Sequence, residues 1–215
     1  MSGTSITSFC ASSTAPNSQP SSSRSPRVTT AEFLAAIVAR LDSAEVPHMI
    51  AGSVASSHHG EPRSTQDIDL VVDPTREQLT RFLDGLDSSR FYVNDALAAF
   101  ARRSMFNVIE PSTGFKADLV VRKDRPFSES EFARRQPVEL LGVVTAVATV
   151  EDTILAKLEW ARTSESERQL RDVAAMIRVH GTALDVLYLR RWAGELGVTA
   201  TLETELGASG VPDHE

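Results

Sequence analysis

The sequence predicts an α+β protein: a small mixed β-sheet with flanking helices, followed by a helical C-terminal half. Short apolar runs near residues 48–51, 67–72, 105–109 and 115–121 have strand length and are bounded by Gly, Pro, Asp or Ser. Segments with apolar residues at three- and four-residue spacing lie among them. From Val150 onward helices dominate.

Taken in order, residues 1–28 are rich in Ser, Thr and Pro, and the first acidic residue is Glu32. Such a segment cannot bury enough apolar area to offset its ordering entropy, so a disordered tail is predicted. Arginine is too sparse for a transit peptide, and a secretory signal would need an apolar stretch. A helix follows from Thr30, with Phe33, Leu34, Ile37, Val38 and Leu41 on one face. Pro47 ends that region, and 48–51 reads as a buried strand broken by Gly52-Ser53. A short helix over 54–59, a loop marked by Gly60, Pro62 and Ser64, and a strand over 67–72 come next. A helix over 75–86 buries Leu79, Phe82, Leu83 and Leu86. A short strand at 91–93 and a helix over 95–103 precede two strands, 105–109 and 115–121, joined by a hairpin-like turn at 110–114. A short strand is expected near 138–141, then helices over 151–163, 165–179 and 183–195.

Composition narrows the classes. Hydrophobic residues make up 41% of the chain, enough for a core. The single Cys10 excludes an intramolecular disulfide framework. No apolar run reaches the roughly 18 residues that would span a bilayer, so a cytoplasmic location away from membranes is expected. The net charge of −7 argues against a surface coated for nucleic-acid backbone.

The chemistry gathers in three segments. In Asp67-Ile68-Asp69-Leu70, strand alternation sends Asp67 and Asp69 to one face and the apolar pair to the other. Two adjacent carboxylates repel unless a cation sits between them, and a hard divalent ion such as Mg2+ or Mn2+ suits oxygen ligands. In Ile50-Ala51-Gly52-Ser53-Val54 a strand runs through Gly-Ser into a helix, whose N-terminus suits a phosphate. In Lys116-Ala117-Asp118-Leu119 a lone aspartate interrupts an apolar strand. If that strand pairs with 67–72, Asp118 joins the other two carboxylates, enough for metal-assisted displacement at phosphorus.

Gly52-Ser53, then Arg63-x-Thr65-x-Asp67-x-Asp69, then a strand aspartate, resembles the DNA polymerase β-like nucleotidyltransferase superfamily. The run 48–72 is most similar to its small prokaryotic branch, which includes transferase toxins of abortive-infection toxin–antitoxin pairs. Lys157 and the Arg171-Asp172 pair are similar to that branch's helical half. The resemblance implies a nucleotidyltransferase core over 29–145 followed by a helical region over 146–207, and the last stretch, 208–215, reads as frayed. It implies NTP as co-substrate, Asp67, Asp69 and Asp118 as metal ligands or base, Gly52 and Ser53 at the triphosphate, and phosphate contacts from Arg63 and Lys157, with Thr65 beside them. The acceptor is a protein, a tRNA or a small molecule, and a cognate toxin or antitoxin is an expected partner.

Blander readings stand beside these. Asp-x-Asp is common on solvated strands, and Asp118 could be an edge-strand charge. Lys157 and Asp172 could form a surface ion pair. His58-His59 reads as a surface turn and His48 as an exposed strand start. Arg122, Lys123, Arg125, Arg134 and Arg135 form either a solvated basic surface or an RNA-docking patch. Trp160, Tyr188 and Trp192 are expected in helix packing. The rival to an enzyme is a transferase-like binding module, acting as antitoxin or regulatory partner; an aminoglycoside-type modifier is a third reading.

Overall fold

A computed structural model describes Met1 and residues 28–62, 65, 67–164 and 166–210. The predicted tail over 1–28 falls almost wholly outside the described residues, as do Arg63 and the last five residues of the predicted frayed end.

Helix α1 spans Thr30–Ser43 and is started by a capping box. Thr29 accepts from the Glu32 amide while Glu32 accepts from the Thr29 amide, so two orphan N–H groups are satisfied at once. The five predicted apolar residues form its buried face. Strand β1 (His48–Ile50) leads into α2 (Gly52–His59), which starts two residues earlier than the sequence suggested. Strand β2 (Asp67–Val72) has the predicted limits. It is followed by α3 (Arg76–Asp84), β3 (Tyr92–Val93), α4 (Ala96–Ala101), β4 (Met105–Glu110) and β5 (Phe115–Val121). Then come α5 (Pro126–Ala133), β6 (Gln136–Leu140), β7 (Val143–Val147), α6 (Val150–Ser164), α7 (Glu167–His180), a 3-10 turn (Gly181–Ala183), α8 (Val186–Leu196) and α9 (Thr199–Ala208).

The strands form one mixed sheet in the order β3-β4-β5-β2-β1-β7-β6. The β2/β5 and β1/β7 pairs are parallel; the other pairs are antiparallel. Alternation along β2 and β5 sends Ile68, Leu70, Val72, Ala117, Leu119 and Val121 to the face covered by α1 and α3, in one continuous core. Burial of each of these Ile, Leu and Val side chains contributes about 1.5–3 kcal/mol. A second core joins α5 to the C-terminal helices α6–α9 around Leu158, Met176, Leu189 and Trp192. A small cluster of Met49, Phe132 and Ala148 packs with Val71 on the opposite face of the sheet.

Helices α5 and α9 and strand β7 were not anticipated as separate elements. The buried face of α5 is Phe127, Ser128, Glu131 and Phe132, half of it polar, so no apolar stripe marks the helix. Strand β7 follows a two-residue hairpin loop, Leu141 (φ 53) and Gly142 (φ 77), in which both residues are left-handed. Leucine rarely takes that conformation, so the usual Asn-Gly signature is missing. Trp160 is a correction: it is 61% exposed, because the buried face of α6 runs through Ile154, Leu155, Leu158 and Ala161. Trp192 is buried against Phe127, as expected, and the Tyr188 hydroxyl donates to Asp152. Among the described residues no helix is long and apolar enough to cross a membrane.

Candidate active site

The β1–α2 turn is built against β2. The Ala51 amide donates to the Asp69 carbonyl at 2.9 Å, and the Ser53 amide donates to Asp69 Oδ2 at 3.1 Å. Gly52 sits between them with φ +54, and a Cβ there would lie 2.1 Å from Asp69 Oδ2. Only glycine fits, on both conformational and steric grounds. The Ser53 hydroxyl donates to Thr65 Oγ1 at 3.1 Å, and the Thr65 hydroxyl donates to the Asp67 carbonyl at 2.9 Å. Ser53 and Thr65 thus tie the helix start to the beginning of β2.

Parallel pairing sets Asp69 opposite Asp118 and Asp67 opposite Lys116. Alternation puts all four side chains on the same face, away from α1 and α3. Asp67 is exposed, Asp69 is half-buried and Asp118 is 8% exposed. The Lys116 ammonium lies 3.0 Å from Asp118 Oδ2 and 3.8 Å from Asp67 Oδ1. On the other side, β4 places Asn107 opposite Asp118, and its amide donates to Asp118 Oδ1. Asn107 is held in turn by Asn94, which accepts from its backbone amide at 2.7 Å and donates to its side-chain oxygen at 3.3 Å.

Burial pushes the Asp69 carboxyl above the usual carboxylate range. The Ser53 amide and the positive charge of Lys157 oppose that rise, while repulsion from Asp118 and Asp67 adds to it. The hydrogen bond to Asp118 holds Lys116 above its ordinary value. Among the described residues no three His, Cys, Asp or Glu side chains are arranged to hold a metal ion, and the ammonium of Lys116 lies among these carboxylates instead. The three aspartates offer the oxygen donors a hard divalent ion prefers, but Asp118 is engaged by Lys116 and Asn107.

Lys157 approaches from α6. It is 5% exposed and donates to Gln169 Oε1 and Asp172 Oδ2, both at 2.7 Å. Ser56 of α2 also donates to Asp172, at 3.4 Å. The surface-pair reading of Lys157 and Asp172 is thereby corrected: the pair is buried and joins α2, α6 and α7. Seven of the predicted site residues (Gly52, Ser53, Thr65, Asp67, Asp69, Asp118 and Lys157) converge here; Arg63 lies outside the described residues. Sequence reasoning passed over Lys116 and Asn107. Two-residue spacing from Asp118 marks the first, and counting across the 110–115 hairpin marks the second.

Other expectations change. The basic cluster is largely consumed internally. Arg122 pairs with Asp73 at 2.9 Å, Arg125 grips Glu159 through two bonds of 2.6 Å, and Arg134 reaches Glu151 and Asp152 at 3.3 Å. Arg135 lies over the Phe132 ring. Lys123 is exposed, whereas the four arginines are engaged with neighbouring side chains. His59 is buried rather than in a surface turn, donating to the Ala148 carbonyl at 2.7 Å. His48 is tucked in, its side chain 8% exposed and its Nδ1 donating to the Val46 carbonyl at 3.0 Å.

The architecture has solved counterparts. The crystal structure of an antigenic nucleotidyltransferase-like protein from Paracoccidioides brasiliensis superposes with a TM-score of 0.52 at 18% identity, over 85% of this chain and 95% of that one. The chain has a nucleotidyltransferase fold. ANT(2")-Ia, solved in complex with adenylyl-2"-tobramycin, gives a TM-score of 0.53 at 14% identity, over 79% of this chain and 98% of its own. No family model matches the sequence, and no curated protein does.

Proposed function

We propose that the protein is a metal-dependent nucleotidyltransferase that moves a nucleoside monophosphate from an NTP to an acceptor hydroxyl and releases pyrophosphate. The observation that supports this best is the β2/β5 register, which sets Asp69 beside Asp118 with Gly52 packed on Asp69 in a nucleotidyltransferase fold. Asp67, Asp69 and Asp118 would hold Mg2+ or Mn2+, which supplies charge neutralisation for the triphosphate and the departing pyrophosphate. The α2 N-terminus at Gly52-Ser53 faces the same carboxylates and suits the phosphates. Lys157, held by Gln169 and Asp172, adds positive charge beside Asp69, and Arg63 is proposed as a further phosphate contact. Asp118 takes the acceptor proton as the acceptor oxygen bonds to the α-phosphorus, and the bond to the bridging oxygen breaks.

The acceptor is a protein, a tRNA or a small molecule, and membership of the small toxin–antitoxin branch is part of the same proposal. Support for RNA is weaker, because most of the arginines that would dock it are engaged in internal pairs. One observation favours a second reading, a transferase-like binding module. Both oxygens of Asp118 already have donors, and Asp69 accepts from Ser53.

Incubating the protein with each α-labelled NTP, Mg2+, tRNA and lysate separates the two. Label transfer by the wild type, lost in the Asp67→Ala/Asp69→Ala variant, is expected. Folded protein that labels nothing, or labels equally well without the two aspartates, abandons the catalytic reading.

A further inference from the structure

Four side chains make a square on the open face of the sheet: Asp67 and Asp69 along β2, Lys116 and Asp118 along β5. Three of the corners are acids. We propose that Lys116 is a built-in counter-ion of this site, whose ammonium keeps Asp67 and Asp118 together until a divalent ion displaces it. This rests on the nucleotidyltransferase reading and adds to it a residue to which that reading gives no part.

The geometry carries the proposal in three steps. The ammonium is the cation between Asp67 Oδ1 and Asp118 Oδ2, at 3.8 and 3.0 Å, so it meets two acids on two strands at once. Without it, those acids would face Asp69 and one another with less compensation. Next, each oxygen of Asp118 has a donor, and the two donors differ in freedom. Asn107 takes Oδ1 and is fastened by two hydrogen bonds to Asn94. Lys116 takes Oδ2 from a flexible four-carbon stem whose side chain is 33% exposed. A divalent ion at Oδ2 would stand beside the ammonium and be repelled by it, and of the two donors Lys116 is the one with room to yield. Finally, a lysine head has a destination once it yields. The incoming triphosphate is itself anionic, the kind of partner a lysine ammonium pairs with.

Metal alone must therefore displace a positive charge, whereas metal with triphosphate supplies that charge with a new partner. Weak binding of metal by itself and stronger binding with nucleotide follow from the same residue.

The experiment is an Mn2+ titration followed by electron paramagnetic resonance, without nucleotide, on the full chain. The set is wild type, Lys116→Met, Lys116→Gln, Lys116→Arg and Asp67→Asn/Asp69→Asn, each checked by thermal melting. Removing the charge is expected to tighten Mn2+ binding about tenfold in the Met and Gln variants, the scale of one partly screened like charge at this range. The Arg variant should keep wild-type affinity. Unchanged or weaker binding in the Met and Gln variants overturns the proposal, as does equal tightening by Arg. If Mn2+ binding is insensitive to the paired Asn substitutions, or no protein in the set binds Mn2+, the metal-site reading falls and this proposal with it. If binding depends on Asp67 and Asp69 but not on Lys116, only the Lys116 role is lost.

Discussion

Gly52 shows how much of the site hangs on single atoms. Its φ of +54 costs an L-residue about 1–2 kcal/mol, and the Asp69 carboxylate occupies the space a methyl would need. Gly52→Ala is therefore expected to lower stability by about 1–2 kcal/mol in chemical denaturation, and to abolish Asp67/Asp69-dependent Mn2+ binding because Asp69 must turn away. A variant that binds Mn2+ like the wild type would show that Asp69 does not need this seat. The placement of Asp67, Asp69 and Asp118 was legible because strand alternation is local and an aspartate inside an apolar strand stands out. Asn107 was not legible in that way, since its meaning depends on the β4/β5 register and on Asn94 beyond it. The burial of Lys157 and Asp172 was hidden for a related reason. A charged pair on two helices looks the same in sequence whether solvent or α2 lies above it.

At the scale of elements, long periodic segments and strands bounded by turn residues could be read, while α5 and β7 could not. Helix α5 buries Glu131 beside Asp152, and burial first, then repulsion from Asp152, pushes its carboxyl up to about 8. Arg125 and Lys123 pull in the opposite direction, and Glu159 adds to the rise. The ordinary value is 4.5, so between about 4.5 and about 8 the folded protein holds a proton on Glu131 that the unfolded chain has lost. Stability from this group is full below that window and is lost as pH rises through it. Glu131→Gln keeps the neutral shape without the ionisation. It should raise the melting temperature at pH 8 and above, leave it nearly unchanged at pH 4.5, and flatten the profile between. Parallel profiles for both proteins would mean that Glu131 is already hydrated or ionised within the fold. The same buried polar face explains why α5 escaped the periodicity test: a helix that puts Ser128 and Glu131 inward carries no apolar stripe.

Across the whole molecule, the candidate site lies at a seam. The sheet and its covering helices α1 and α3 form one apolar core, and α5 with α6–α9 forms another. The carboxylates belong to the sheet, whereas Lys157 comes from the helical half and is held by Gln169 and Asp172 of α7 and, through Asp172, by Ser56 of α2. Lys157 thus has two separable tasks, to neutralise a buried acid and to bring charge toward Asp69. Lys157→Met preserves the stem and removes the charge, leaving the Asp172 carboxylate in a site where its side chain is 14% exposed. Removing one partner of a buried pair costs on the scale of about 3 kcal/mol, and the Ser56 donor that Asp172 keeps makes this an upper figure. Lys157→Met/Asp172→Leu removes both charges and should recover most of that loss, since an apolar replacement for a buried pair is often neutral. If Lys157 also serves the triphosphate, nucleotide affinity will stay low in the double variant although stability returns. Stability and nucleotide binding restored together would instead assign Lys157 to joining the two halves alone.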